Sequence, residues 1–177
     1  MPDFKDIEGP VAKLNRLAAE EARAALLACC GSRRWASEVA ALRPFWDVGQ
    51  LLRIGERVWR ELADEDRLEA FRAHPKIGES KAAAETGEQS RAWAEGEQSR
   101  ARGASEETLA ALSEANREYE ERFGYIFIVC ATGKSAEEML ALLRARVTND
   151  PETEMRVAAA EQWRITELRL KKFLNVK

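Results

Sequence analysis

Apolar side chains recur along most of the chain at alternating three- and four-residue spacings, the pattern of an α-helix with one buried face. The clearest stretch contains Leu109, Leu112, Asn116, Tyr119 and Phe123 at these spacings. The pattern predicts helices over about residues 10–30, 35–42, 48–62, 64–73, 90–102, 106–123, 136–147 and 151–174. We therefore expect an all-α fold, a bundle of several helices.

Residues that favour helix ends stand at the borders of several of these stretches. The candidates for N-caps are Asp47, Ser105, Ser135 and Asp150. Ser135 and Glu138 have the spacing of a capping box, in which each side chain binds a main-chain N–H of the other residue. Gly31 and Gly124 follow helical stretches and are typical C-terminal stops. These signals place most helix borders independently of the apolar pattern.

Two segments lack helical periodicity. Residues 75–87 carry few apolar positions and are predicted to form a functional loop or a weak helix. Residues 125–131 are almost wholly apolar and could form a strand, but a lone strand has no sheet to join. We interpret them as a buried irregular passage, or as the first turn of a helix. No Gly/Ser linker or break in composition interrupts the chain, which predicts one domain over residues 1–177.

Composition and charge narrow the function classes. The 177 residues include 28 basic and 31 acidic side chains, giving a net charge of −3 with signs that alternate along the helices. This balance argues against nucleic acid and against an anionic membrane as partners. The start of the chain lacks a signal peptide and no apolar run is long enough to span a bilayer, so a cytoplasmic protein is expected. Cys29, Cys30 and Cys130 are expected to be free, buried thiols.

His74 is the only histidine of the chain, and it stands directly before Pro75. The bond to proline disfavours helical geometry at the preceding residue, so the imidazole is predicted at a helix end, facing a loop. This placement suits proton transfer near neutral pH, although a lone histidine is more commonly a satisfied or surface group. Arg169 lies in an apolar row between Ile165 and Phe173, where a guanidinium either reaches out to solvent or points into a pocket.

Two further polar residues interrupt apolar rows. Asn116 is predicted to make a buried hydrogen bond between helices rather than to contact a ligand. Glu97 shares a helical row with Trp93, and a partly desolvated carboxylate suits a proton donor or relay. The sequence around Glu97 is duplicated, because residues 87–92 recur as residues 96–101, so Glu88 and Gln89 rival Glu97 and Gln98.

Familiar cofactor and nucleophile motifs are missing from the sequence. It holds one histidine, no paired Cys/His set, no glycine-rich nucleotide loop and no Ser-His-Asp pattern above chance. A transition-metal or nucleotide site is therefore not expected. An enzyme with this sequence would work by acid and base chemistry of its side chains alone.

Five blocks in order along the chain carry a resemblance. They are Cys30–Trp35, His74–Gly78, Trp93–Gln98, Asn116–Ala131 and Thr166–Leu170. Together they resemble the family of 2-oxo-4-hydroxy-4-carboxy-5-ureidoimidazoline (OHCU) decarboxylases, over roughly residues 25 to 174. The resemblance implies an all-helical, cofactor-free and frequently dimeric enzyme that forms (S)-allantoin in urate degradation.

The resemblance also implies roles for single residues. His74 and Glu97 would form the catalytic pair. The substrate would be bound by Pro75, Gln98, Phe127, Val129 and Arg169. Main-chain groups around residues 127–129 would contact the imidazoline ring, and Arg169 would fix ring or ureido carbonyl groups.

One position departs from the family pattern. Ala94 stands where the family often has serine, three residues before the catalytic glutamate, so one hydrogen bond to the substrate is absent or comes from water. The alternatives are an inactive helical binding module of the same fold and a hydrolase acting on a related ureide. The hydrolase would need a water-activating device, and the sequence offers neither a zinc set nor a nucleophile triad.

Overall fold

A computed structural model describes residues 8–77, 88–97 and 103–176. Within these ranges all regular secondary structure is helical, and no β-strand occurs. The helices are α1 (Ala12–Asn15), α2 (Ala19–Cys30), α3 (Arg33–Ala41), α4 (Val48–Glu61), α5 (Asp64–Arg72), α6 (Glu88–Glu97), α7 (Glu106–Phe123), α8 (Ala136–Arg146) and α9 (Pro151–Phe173). The all-α prediction is confirmed. None of the helices in the described ranges has the length and apolar character that crossing a membrane requires.

The prediction of one helix from Pro10 to Cys30 is wrong, because the chain breaks between α1 and α2. Ala18 has extended geometry (φ −57°, ψ 158°), and its main-chain N–H donates to Glu21 Oε2 at 3.1 Å. The carbonyl oxygens of Leu14 and Leu17 accept hydrogen bonds from Arg43 Nη1 at 2.9 and 2.8 Å. A residue 26 to 29 positions later thus satisfies the carbonyl groups near the break, and apolar periodicity carries no such information.

Local capping signals, in contrast, predicted the helix borders well. Asp47 Oδ1 accepts from Gln50 N at 2.7 Å, and Ser105 Oγ accepts from Thr108 N at 3.1 Å. The reciprocal capping box of Ser135 is present, and Gly124 ends α7 with the left-handed φ of 78° that glycine adopts at little cost. Helix α6 begins at Glu88, two residues before its predicted start at Ser90, and its predicted end at Arg102 lies outside the described residues.

Contacts divide the chain into two compact units. Unit 1 comprises residues 1–69 and 163–177, and unit 2 comprises residues 70–162. The borders fall inside α5 and α9, so each of these helices contributes to both units. The single domain expected over residues 1–177 stays a prediction.

Two tryptophans and a glycine form the centre of unit 1. The Trp35 side chain is fully buried and its Nε1 donates to Gly55 O at 2.9 Å. The ring of Trp163 meets Trp35 edge-on, with centroids 6.4 Å apart. A Cβ atom on Gly55 would lie 3.0 Å from Trp163 and 3.2 Å from Trp35, which is too close for an ordinary contact. A larger residue at position 55 would therefore have to displace the two indoles where α4 passes them.

An aromatic cluster forms the centre of unit 2. Tyr119 packs against Phe123, Tyr125 and Phe127 with ring centroids 4.7 to 5.9 Å apart, and Phe71 packs on Tyr125 at 5.3 Å. These edge-on and tilted contacts join α5 and α7 to the segment that follows α7. The cluster thereby positions both the end of α5 and residues 125–131, which carry predicted site residues.

Candidate active site

His74 lies just beyond the end of α5, as the His-Pro sequence predicted. Its main-chain N–H donates to Phe71 O at 3.1 Å, which closes the last turn, and its side chain is half-buried. The imidazole Nε2 lies 2.7 Å from Oε1 of Gln162, a residue of α9 that is fully buried. The ring is therefore fixed by a hydrogen bond to a buried amide rather than freely solvated.

Helix α7 holds two of the residues that follow His74, namely Lys76 and Ile77. Lys76 Nζ forms a salt bridge of 2.6 Å with Glu120 Oε2, and Asn116 Nδ2 donates to Ile77 O at 3.2 Å. Asn116 and Glu120 are four residues apart and so share one face of α7. Asn116 is buried as predicted, but its partner is a loop carbonyl rather than another helix. Gly78 and the rest of the predicted 75–87 loop lie outside the described residues.

Residues 125–131 form no regular secondary structure and are buried, apart from half-buried Ile126. The irregular passage expected from the sequence is confirmed. Side chains bind its main-chain groups: Arg146 Nη1 donates to Ile128 O at 2.7 Å, and Cys130 N donates to Glu161 Oε2 at 2.8 Å. Lys134 Nζ donates to Cys130 O at 2.8 Å. The segment keeps its conformation because charged side chains replace the ladder that a helix or sheet would provide.

A buried ion pair fixes the arginine that holds Ile128. Arg146 Nε donates to Glu154 Oε1 at 2.9 Å, and Asn149 Nδ2 donates to Glu154 Oε2 at 2.8 Å. The Tyr119 hydroxyl donates to Glu154 Oε1 at 2.5 Å. Burial raises the pKa of the Tyr119 phenol well above its usual range, so the hydroxyl stays protonated and remains a donor. With Glu154 fully buried, the arginine has one well-defined orientation.

The main-chain groups of Phe127 and Val129 lie in the same buried passage. Within residues 8–77, 88–97 and 103–176, no hydrogen-bond partner is found for them. The exposed fractions of the two residues are only 3% and 6%. Buried main-chain groups are nearly always paired with protein, water or ligand. The main-chain groups of Phe127 and Val129 are therefore open to water or to a bound molecule, and their contact with an imidazoline ring stays a prediction.

Glu97 is buried at the end of α6, with an exposed fraction of 8%. Its charge acts on the Cys130 thiol, so the carboxylate lies near the irregular segment. The rival pair Glu88 and Gln89 is exposed to solvent, which favours Glu97 as the site carboxylate. Ala94 is buried as well, one turn before Glu97 on the same face of α6. Gln98 lies outside the described residues.

Two consecutive residues of α9 hold the parts of this site together. Glu161 binds the main chain at Cys130, and Gln162 binds the ring of His74. Within unit 2, α9 therefore contacts both the ring of His74 and the main chain of the irregular segment at Cys130. Sequence reasoning missed Glu161, Gln162, Arg146, Glu154 and Glu120. Charged residues on a helix are usually solvated, so only the distant partners mark these as special.

Arg169 belongs to unit 1, and 2% of it is exposed. The arginine does not reach out to solvent, so the first of the two interpretations of its apolar row is wrong, and a pocket at Arg169 stays a prediction. Its charge acts on the thiols of Cys29 and Cys30, which are free and buried as expected. Burial raises the pKa of each of these thiols to about 12, and the arginine opposes that rise only in part.

Metal-binding clusters are absent from the part of the chain that the structure describes. No three His, Cys, Asp or Glu side chains in it come together in a way that could hold an ion. The expectation that the protein uses no cofactor stays a prediction. The polar groups of the candidate site are those of proton transfer and hydrogen bonding: an imidazole, a buried carboxylate and main-chain amides.

Comparisons with known proteins identify the family. The family model for OHCU decarboxylase matches residues 15–171. A uric acid degradation bifunctional protein TTL of Arabidopsis thaliana is 34% identical over 149 residues, which are 84% of this chain and 46% of the plant protein. The chain thus spans about half the length of that relative. The 2-oxo-4-hydroxy-4-carboxy-5-ureidoimidazoline decarboxylase of Haloferax volcanii is 31% identical over 137 residues, which are 77% of this chain and 79% of the archaeal protein.

Solved structures agree with the sequence matches. A crystal structure of OHCU decarboxylase in the presence of (S)-allantoin matches with a TM-score of 0.74 at 34% identity, covering 86% of this chain and 98% of that chain. A crystal structure of (S)-allantoin synthase, 20% identical, shares the fold with a TM-score of 0.68 over 92% of this chain and 53% of that one. By sequence and by fold, the chain belongs to the OHCU decarboxylase family.

Proposed function

We propose that this chain decarboxylates 2-oxo-4-hydroxy-4-carboxy-5-ureidoimidazoline to (S)-allantoin and CO2 in urate degradation, by acid and base chemistry of its side chains. The observation that carries the proposal is the pair Glu161 and Gln162. Glu161 binds the main chain of the irregular segment at Cys130, and its neighbour on α9, Gln162, binds the ring of His74, which supports a common site for the two. The family to which the chain belongs supplies the substrate class.

The substrate carries its own electron sink, so the proposed reaction requires neither metal nor pyridoxal. A carboxylate and a hydroxyl share one ring carbon beside an imine carbon. When the bond to the carboxylate breaks, CO2 leaves and the electron pair forms a double bond to the imine carbon, while the imine nitrogen takes up a proton. The hydroxyl proton then leaves, a carbonyl forms, and the former imine carbon receives a proton that sets its configuration.

We assign the proton transfers of this reaction to two side chains. His74 holds or deprotonates the substrate hydroxyl, and Glu97 passes a proton to the new stereocentre. General acid and base groups of this kind contribute about 10²–10⁴-fold each. The low exposure of Glu97 supports the role, because a proton delivered from a buried group reaches one face of the substrate only.

Substrate binding falls to several groups. Arg169 and Gln98 fix the ring and ureido carbonyls, and Pro75 packs beside the histidine. The main-chain groups of Phe127 and Val129 contact the imidazoline ring. The burial of Arg169 supports its part, because a desolvated guanidinium forms stronger charge-assisted hydrogen bonds and stabilises developing negative charge. Buried Ala94 removes one side-chain donor from this set, so one hydrogen bond to the substrate is absent or comes from water.

Product analysis tests the reaction class. Chelator-treated protein is mixed with substrate generated in place, and allantoin and CO2 are quantified against time. The proposal predicts one CO2 for each allantoin, formed faster than in the protein-free control. A hydrolase would yield a ring-opened or deureidated product instead. An inactive binding module would leave the spontaneous rate unchanged, and either of these results contradicts the proposal.

The assembly and location expected from the sequence are part of the same proposal. We propose a homodimer in the cytoplasm, as members of the resembled family are frequently dimeric. Light scattering on the eluting protein gives the mass directly. A mass near twice 19.9 kDa supports the dimer, and a single-chain mass at the concentration of the assay rejects it.

A further inference from the structure

Gln162 contacts the imidazole ring of His74 through its side-chain amide. Its side-chain oxygen Oε1 lies 2.7 Å from His74 Nε2, well within hydrogen-bond distance. A carbonyl oxygen only accepts hydrogen bonds, so the hydrogen of this bond belongs to Nε2. In the neutral ring the lone pair then resides on Nδ1.

We propose that Gln162 is a positioning residue that locks His74 in the Nε2–H tautomer and so makes Nδ1 the nitrogen that exchanges a proton with the substrate. The first half of this statement concerns the resting protein alone. The second half rests on the proposed function, because it needs a substrate hydroxyl.

Burial makes the lock effective. Gln162 is fully buried, so water does not compete with His74 for its amide oxygen. The backbone on the histidine side is held as well, by the bond from His74 N to Phe71 O and by the salt bridge of Lys76 with Glu120. A ring flip that presented Nδ1 to Gln162 would have to give up the 2.7 Å bond.

The choice of an amide rather than a carboxylate matters for the chemistry. A glutamate at position 162 would attract the imidazolium form and hold the ring protonated over a wider pH range. A neutral amide orients the ring and fixes the tautomer without adding charge. The ring stays available as a base near neutral pH, the condition that deprotonation of a hydroxyl requires.

The lone histidine allows a direct spectroscopic test. Protein labelled with ¹⁵N-histidine shows a single imidazole, whose protonated and unprotonated nitrogens resonate far apart. The proposal predicts a protonated Nε2, an unprotonated Nδ1 and an Hε2 proton that exchanges slowly with solvent. An Nδ1–H ring, or rapid averaging of both forms in the wild-type protein, would overturn it.

Two variants distinguish the effect of the hydrogen bond from that of side-chain packing at position 162. Gln162→Met keeps the volume and removes the acceptor, so the Hε2 signal should be lost and both tautomers should be populated. Gln162→Glu keeps an acceptor for Nε2–H and should retain the signal, which covers the case in which the methionine variant does not fold. An unchanged imidazole spectrum in a folded Gln162→Met protein would reject the proposal.

Kinetics test the second half. Gln162→Met should lose at least about tenfold in kcat with little change in KM, a part of the about 10²–10⁴-fold that a general base supplies. On a His74→Ala background the same change should have no further effect, because the residue acts through the ring. If the wild-type protein shows the predicted tautomer but does not decarboxylate the substrate, the proposed function and the role of Nδ1 fail while the lock stands.

Discussion

Arg146 donates a hydrogen bond of 2.7 Å to the main-chain oxygen of Ile128, and its guanidinium lies over the ring of Phe127 with its central carbon 4.5 Å from the centroid. One buried side chain thus holds both the backbone and a neighbouring ring of the segment proposed to bind substrate. Glu154 fixes the arginine in turn. The buried ion pair therefore positions the segment as well as stabilising the fold. Its effect on stability and its effect on activity can be measured separately.

We first predict that Arg146→Met lowers the free energy of unfolding by about 3–5 kcal/mol, because Glu154 is left buried without its cation. Denaturant unfolding measures this change. The matched double variant Arg146→Met with Glu154→Gln removes the unpaired charge and should recover part of the loss. A single variant as stable as the wild type would show that the pair is not buried as described.

The same double variant separates folding from function. Without the arginine, Ile128 O and the ring of Phe127 are no longer held, so KM for the substrate should rise even where the protein is fully folded. Steady-state kinetics on protein whose folding has been checked by circular dichroism provide the measurement. Unchanged kcat and KM would show that the ion pair does not position the substrate-binding segment.

A second prediction uses the sequence duplication within and after α6. Glu97→Gln should lower kcat by about 10²–10⁴-fold, because the proposed proton relay is removed while shape is kept. Glu88→Gln changes the equivalent residue of the exposed copy and serves as the matched control, with activity expected to stay near that of the wild type. A loss of activity in Glu88→Gln with Glu97→Gln unaffected would reverse the assignment.

A third prediction concerns packing in unit 1. Gly55→Ala should destabilise the protein by about 1–3 kcal/mol, because its Cβ would press on two packed indoles at 3.0 and 3.2 Å. Gly96→Ala is the matched control, since no atom of residues 8–77, 88–97 and 103–176 lies within 4 Å of its added Cβ and alanine is the better helix former. Thermal unfolding of the two variants should move in opposite directions, and a stabilised Gly55→Ala would refute the packing described.

A fourth prediction follows from the buried thiols. Burial raises the pKa of Cys30 from 9.0 to about 12, so above pH 9 the unfolded chain loses a proton that the folded chain keeps. Stability contributed by the neutral thiol is complete below pH 9 and is lost as pH rises toward 12, by up to about 1.4 kcal/mol for each pH unit. Unfolding free energies of Cys30→Ala should fall less steeply over this range than those of the wild type. Parallel slopes would contradict the burial.

The sequence predicted the structural features that depend on residues close together in the chain. The N-caps Asp47, Ser105 and Ser135 act within three residues, so their positions could be identified from spacing alone. The break after α1 could not, because Arg43 satisfies the carbonyl groups there from 26 to 29 residues away. Helix periodicity describes a face of one element and does not reveal which distant side chain terminates it.

The candidate site shows the same division. The pair His74-Pro75 predicted a helix end. The apolar run 125–131, which has no partner strand, predicted an irregular passage. The residues that hold them are distant in sequence, since Gln162 is 88 positions from His74 and Glu161 is 31 from Cys130. On the sequence alone Gln162 is one polar residue of a long helix, and only the folded chain shows that it binds the imidazole.

The central claim is that this chain controls the configuration of the product as it removes CO2. The most direct test is the circular dichroism of freshly generated substrate mixed with chelator-treated protein. The account predicts a rapidly growing signal of (S)-allantoin, ahead of the slow, optically inactive decay seen without protein, and its loss with the folded His74→Ala variant. A trace from folded wild-type protein identical to the protein-free control would contradict the account.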